Sequence, residues 1–251
     1  MRFSVLKAGR ATRAAQARIG DTDAMFVDLL ARPGDRWDVH DVEHGEFPAR
    51  VADYDGLVIT GGRASAYDED AWMLRLLDTV REAHQSGVML LGICLGHQVV
   101  AKALGGEVGV NPKGWDIGLT ELRLTPESGA YDGLGDAPRP LRILKTHQDV
   151  VTRLPPGAVW LAASAGTEYE MYHLGPRVLC LQGHPEMDNE EVREIISRRR
   201  EQLPPPVVEA GLASLADLPH REFLEGFLRR FLHGDLQGEG LQRHVEERTA
   251  V

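Results

Sequence analysis

Residues 87–106 read GVMLLGICLGHQVVAKALGG. A wholly apolar run, Val88–Ile93, meets a helix-like pattern at a corner with glycine on both sides of a cysteine, Gly92-Ile93-Cys94-Leu95-Gly96. A strand apolar at every position must be covered on both faces, which is the environment of a parallel sheet. A sharp strand-to-helix corner also leaves little room two residues either side of its apex, and glycine supplies the clearance. This segment confines the chain to helices packed on both sides of a largely parallel sheet.

The flanking pattern agrees. RFSVL (2–6) reads as a strand, and DTDAMFVDLLA (21–31) as a helix capped by Asp21 or Asp23. DGLVIT (55–60) is a second buried strand ending in Gly61-Gly62, followed by Met73, Leu76, Leu77 and Val80 at helical spacing. After the corner, Val99, Val100, Ala103 and Leu104 form one apolar helix face. The middle of the chain changes character. LTELRL (119–124), LRILK (141–145), AVWLAA (158–163), EYEMY (168–172) and RVLCLQ (177–182) are short strands between Gly/Pro/Asp-rich turns, an antiparallel or mixed section added to the parallel sheet. MDNEEVREIISRRR forms a helix capped by Asp188, with Val192, Ile195 and Ile196 inward, and LPPP (203–206) stops it. A last helix carries Phe223, Leu224, Phe227, Leu228, Phe231 and Leu232, and the polar residues from His233 onward fray. The expected organisation is one α/β domain over residues 1–200 with a helical extension, residues 201–251, packed on it.

Composition narrows function. The 251 residues carry a net charge of −10, which opposes an extended phosphate-binding surface, so nucleic acid is not an expected partner. No run of about 18 uncharged apolar residues is present and the N-terminal apolar stretch is too short for a secretory signal, so neither a membrane span nor export is expected. Two cysteines, Cys94 and Cys180, do not make a disulfide framework and fit a reducing cytoplasm. Cys180 lies in an apolar run and reads as core. His40, Glu43 and His44 in HDVEH lack helical metal-site spacing, so no metal is expected there. Arg198, Arg199 and Arg200 read as a solvated helix end favoured by the helix dipole. No phosphate-cradling glycine loop appears, and no cofactor is expected.

The corner carries chemistry as well as geometry. A cysteine at a helix N-terminus meets unpaired N–H groups and the positive end of the dipole, both of which favour a thiolate. The Leu95 N–H faces the place where an oxyanion would form. A cysteine nucleophile needs a base, and the base an orienting group. Of ten histidines, His184 stands out, because it follows the buried run RVLCLQG and opens His184-Pro185-Glu186. In extended chain, positions 184 and 186 point to one side, so Glu186 can accept the ring N–H of His184. The alternative for Cys94 is a small buried residue at a tight turn.

GICLGHQ (92–98) with LQGHPE (181–186) resembles the class I, Cys-His-Glu type, glutamine amidotransferase family. GDTDAMFVDLL, DGLVITGG, YDEDAW, AKALGGEVG, KGWDIGLTELRL and THQDVVTRLPPGA extend the resemblance over about residues 1–190, nearest to stand-alone GMP-synthase-like members, some of whose relatives are γ-glutamyl peptidases. The resemblance implies a flavodoxin-like fold with Cys94 as nucleophile, His184 as base and Glu186 as its orienting partner, acting through a thioester. It implies an oxyanion hole from the backbones of Leu95 and Gly61-Gly62, and substrate contacts from Gln98, Thr146, His147 and Gln148. Thr146 departs from the Ser or Asn usual at its position. Gly183 replaces a common Phe and is expected to open space beside the triad for a larger γ-glutamyl group. The stretch after the triad is too short for the family's ATP-using synthetase domain. Three functions follow: a glutaminase that serves a separate synthetase subunit with ammonia, a self-sufficient γ-glutamyl hydrolase or peptidase, and a non-catalytic regulatory member. An intact Cys-His-Glu set disfavours the last.

Overall fold

The computed structural model describes residues 1–131 and 133–236. Its elements in chain order are β1 Arg2–Lys7, α1 Arg13–Ile19, α2 Thr22–Leu30, β2 Arg36–Asp41, β3 Gly56–Ile59, α3 Ala71–Gln85, β4 Met89–Ile93, α4 Leu95–Ala103, β5 Glu107–Val110 and β6 Asp116–Leu124. There follow β7 Leu141–His147, β8 Asp149–Arg153, β9 Val159–Ala163, β10 Met171–Leu174, β11 Val178–Leu181, α5 Asn189–Arg198, α6 Pro205–Ser214 and α7 Arg221–Leu232. Nine strands form one sheet in the order β2-β1-β3-β4-β11-β10-β9-β6-β7, and β5 and β8 pair separately. The first five are mutually parallel and the remainder antiparallel, so the mixed section extends a parallel sheet as expected. The fold is a mostly parallel, flavodoxin-like α/β arrangement with helices on both faces.

Strand pleating divides the apolar residues between two cores. Phe3, Val58, Met89, Leu91 and Ile93 face α2 and α7. Leu6, Leu57, Ile59 and Leu90 face α3 and α4. A third core forms where α5 and α6 cover β6 and β7, around Leu144, Val192, Ile196 and Val208. Asp21 caps α2 by accepting from the Thr22 N–H at 2.9 Å, and Asp188 caps α5 by accepting from the Glu191 N–H at 2.9 Å.

Several expectations are corrected. The triple proline ends one helix but also begins the next, with Pro205 and Pro206 as the first residues of α6, where a missing N–H is harmless. Helix α1, capped by Thr12 through the Ala15 N–H at 3.2 Å, and the β5–β8 pair were not anticipated. The strand expected over 168–172 begins at Met171, because Glu170 turns inward to Lys145 and the register shifts beside Met171. Frayed polar chain was expected from His233, yet the His233 ring bonds Asp35 at 2.8 Å and Leu236 is buried. The rest of that stretch, 237–251, lies outside the described residues. Among the described residues no helix is long and apolar enough to cross a membrane.

Candidate active site

β4 ends at Ile93 and α4 begins at Leu95, so Cys94 is the corner itself, with φ 52° and ψ −102°. It is the only non-glycine residue with positive φ among those described. Such strain persists only where the surroundings over-determine it. Here the Cys94 N–H donates to the Leu181 carbonyl at 2.9 Å, the Gly96 N–H to Thr60 at 3.2 Å, and the Gln98 N–H to the Cys94 carbonyl at 3.2 Å. The flanking glycines are needed sterically. A Cβ on Gly92 would lie 2.7 Å from the Gly96 carbonyl oxygen, and one on Gly96 would lie 2.2 Å from that of Ile59.

β11, hydrogen-bonded next to β4, delivers His184 to the same end of the sheet. Its backbone N–H bonds the Leu144 carbonyl at 2.8 Å, fixing the segment against β7. His184 Nδ1 lies 2.7 Å from Glu186 Oε1; the carboxylate can only accept, so the ring N–H donates. Burial pulls the ring's pKa down, but the Glu186 carboxylate and then Cys94 outweigh it and hold His184 well above the ordinary histidine range. Nε2 is buried and has no hydrogen-bond partner among the described residues. A Cβ on Gly61 would stand 2.8 Å from His184 Cε1 and 3.4 Å from Cys94 Cβ, so the thiol, the imidazole and the Gly61 backbone converge on one spot. Two other histidines near the corner are held neutral. Burial depresses His97 to about 3, and burial aided by Lys145 depresses His147 to about 3. His184 is the one ring there able to take a proton at neutral pH.

Two cavities meet at Cys94. One, of about 290 Å³, includes Gly61, Gly62, Thr146, His184, Glu186 and Glu191 in its lining. The other, of about 260 Å³, is lined by Gly62, Leu95, Gln98, Thr146, His147, Gln148 and Asp149 among others. Leu95 is the first residue of α4, so its N–H has no preceding turn to bond. Gln98 is buried rather than solvent-facing, and both hydrogens of its amide are engaged, by the Asp149 carbonyl at 2.8 Å and Gln182 Oε1 at 3.1 Å. Only its carbonyl oxygen is left for a ligand. Gly183 does not open space beside the site: a Cβ there would meet Ile143 atoms at 2.7–2.9 Å, so Ile143 already fills the position.

Beneath the second cavity lies a buried ionic group. Lys145, wholly inaccessible, pairs with Asp116 and Glu170 and donates to Ser164 at 3.0 Å. Lys145 pulls Asp116 below the usual carboxylate range against burial, whereas burial keeps Glu170 above it. The His147 Nδ1–H donates to the Asp149 carbonyl at 3.1 Å, leaving Nε2 3.9 Å from Asp116. The Thr146–Gln148 strand end is therefore anchored from below by charge.

Sequence reasoning missed several lining residues. Asp149 accepts from Ser65 at 2.6 Å and Tyr67 at 3.2 Å, and Glu191, from the first turn of α5, reaches the first cavity. Of the three arginines read as a solvated helix end, Arg199 instead turns inward and lies over the Trp115 ring, 4.7 Å from its centroid. Arg63, directly after Gly62, lines both cavities with it. The arginine run was visible as a signal, but not the direction of its middle member. The histidines of HDVEH go to separate partners, His40 to Ser4 at 2.9 Å and His44 to Asp41 at 2.8 Å.

A family model described as glutamine amidotransferase class-I matches residues 34–200. Gamma-glutamyl peptidase 4 of Arabidopsis thaliana is 37% identical over 188 residues, covering 73% of this chain and 75% of that protein. A glutamine-hydrolyzing GMP synthase subunit of Thermococcus kodakarensis is 41% identical over 105 residues, 41% of this chain and 54% of that one. Among solved structures, a glutamine amido transferase from Methylobacillus flagellatus superposes with a TM-score of 0.75 at 29% identity, covering 95% of this chain and 96% of the other.

Proposed function

The chain belongs to the class I glutamine amidotransferase family, and from that premise we propose that it is a cysteine hydrolase cleaving the γ-amide bond of γ-glutamyl compounds whose leaving group is larger than ammonia. The observation that carries the reading is the cavity of about 290 Å³ on the His184 side of Cys94. A single water-sized molecule needs only about 10–15 Å³ by the same measure. The Cys94 thiol gives its proton to His184 Nε2 and the sulfur attacks the γ-carbonyl carbon. The oxyanion accepts from the N–H groups of Leu95 and the Gly61-Gly62 turn. His184 returns the proton to the leaving nitrogen as the C–N bond breaks, and a γ-glutamyl thioester remains on Cys94. Water then attacks the thioester, losing its proton to His184. The C–S bond breaks and glutamate leaves, with the thiol restored. Glu186 keeps the imidazole oriented and stabilises its cationic form. On the opposite side, the free carbonyl oxygen of Gln98 accepts from the substrate's α-ammonium group.

Glutaminase activity supplying ammonia to a separate synthetase subunit is the second reading, supported by the similarity to a GMP synthase subunit. Release of glutamate from glutamine and from a panel of γ-glutamyl dipeptides separates the two. Higher kcat/KM on the dipeptides is expected, with Cys94→Ala inactive on all of them. Turnover of glutamine alone would select the glutaminase reading, and equal inertness of wild type and Cys94→Ala would end both.

A further inference from the structure

Four arginines reach the cavity on the His184 side: Arg10, Arg63, Arg198 and Arg199. Two are neutralised. Arg10 pairs with Asp41 and lies 3.5 Å from Asp21, and Arg198 pairs with Glu194. The other two have no ion pair among the described residues. Arg63 has no hydrogen-bond partner among them either, and Glu43 lies within its field without bonding it. Arg199 is half-buried on Trp115, and burial and then the charge of Arg63 lower its pKa from the ordinary value. The carboxylates of the cavity do not answer them, since Glu186 is committed to His184 and burial holds the Glu191 carboxyl up at about 7.

Like charges brought together at a cavity wall, in a chain of net charge −10, form a site short of an anion. Guanidinium groups favour carboxylates because their fork matches the two oxygens. The cavity they line also holds His184, the group that protonates the departing nitrogen. Arg63 and Arg199 stand where the two cavities meet and line the second as well, but that one already has Gln98, His147, Gln148 and Asp149 for the glutamyl end.

We propose that Arg63 and Arg199 bind a free carboxylate on the leaving group, so that the preferred substrates are γ-glutamyl amino acids or peptides with an ionised C-terminus. The assignment rests on the hydrolase reading for the direction in which substrate lies. Its test uses γ-glutamylglycine and γ-glutamylglycine amide, which share the glutamyl end and differ only in that carboxylate. Calorimetric binding to the Cys94→Ala protein should favour the acid by about ten- to a hundredfold, the range for a charge-assisted contact. Adding Arg63→Gln and Arg199→Gln should abolish most of that preference. Equal affinities, no binding of either peptide, or a preference that survives both substitutions overturns the proposal. Equal affinities would also assign the arginines, if anywhere, to the shared glutamyl carboxylate. Should the arginine variants fail to fold, the acid preference of the Cys94→Ala protein is measured in 1 M salt, where the Debye length is about 3 Å. Loss of the preference there supports an ionic contact, and persistence overturns it. Wild-type turnover of the same peptides is scored separately. A protein that binds the acid selectively but cleaves neither peptide refutes the hydrolase reading alone, and one that cleaves both equally refutes the arginine site alone.

Discussion

Cys94 and Cys180 stand 86 positions apart in sequence and in very different surroundings. Cys180 has no accessible surface, and burial pushes its thiol up to about 12. Cys94 opens on two cavities at a helix N-terminus beside His184. Iodoacetamide at neutral pH should therefore alkylate Cys94 while Cys180 stays unmodified, as read by peptide mass spectrometry; equal, slow labelling would mark Cys94 as an inert core thiol. Glu191 gives a second residue-level prediction. Burial, with Glu186 adding to it, raises its carboxyl to about 7 from an ordinary 4.5. Between those values the folded chain holds a proton that the unfolded chain has lost, so this residue's contribution to stability falls as pH rises from about 4.5 to 7. At one pKa unit per 1.36 kcal/mol the loss is on the order of 3 kcal/mol. Glu191→Gln keeps the acceptor for the Thr12 N–H and cannot ionise. The gap between variant and wild type in urea melts should widen in the variant's favour from pH 5 to pH 8. A gap independent of pH would show that Glu191 does not titrate in that window.

At the scale of elements, the same substitution has opposite signs at two helical glycines. Gly96 sits in the first turn of α4, where an added Cβ would press into the Ile59 carbonyl of β3 at 2.2 Å. The two nearest atoms, the Ile59 carbonyl oxygen and carbon, are backbone, so they cannot move aside without shifting β3 or α4. Gly96→Ala should cost about 3 kcal/mol or more, at the upper end for overpacking, and should disturb the Cys94 corner with it. Gly226, inside α7, has nothing within 4 Å of its would-be Cβ. Gly226→Ala should stabilise by about 0.5–1 kcal/mol through helix propensity. Chemical melts of the two variants check the pair. If Gly96→Ala were as mild as Gly226→Ala, the close approach of α4 to β3 would not be what requires the glycine.

For the whole molecule the last described helix is decisive. α7 puts Leu224, Phe227, Leu228, Phe231 and Leu232 into the same core as Phe3, Met89 and Leu91. Its Arg229 side chain donates to the Leu29 carbonyl at 2.8 Å. We propose that α7 is an integral layer of the domain rather than an appendage. Phe231→Ala should then lower global stability by about 3–5 kcal/mol in a single cooperative transition. A separate early transition for α7, with the sheet intact, would show an extension that melts independently.

How much of this was legible before folding follows from the range of the interactions. Alternating and continuous apolar runs, the Asp21 and Asp188 caps, the glycine-flanked cysteine and the His184-Pro185-Glu186 spacing are all settled within a few residues. Local backbone geometry alone carries them, and the sequence by itself determined the α/β class, the strand-to-helix corner and the candidate nucleophile. The start of α6 at a proline was obscured because the same residue both breaks and begins helices. Contacts between distant segments were not legible. That Ile143 fills the space beside Gly183, that both Gln98 donors are spent on Asp149 and Gln182, and that Arg199 turns in towards Arg63 depend on which strands become neighbours. Burial and neighbouring charge arise only on assembly, and they distinguish His184 from His97 and His147. The His184-Pro185-Glu186 spacing had already singled out His184; the tertiary structure alone decided that burial depresses His97 and His147, and where the unpaired positive charge lies.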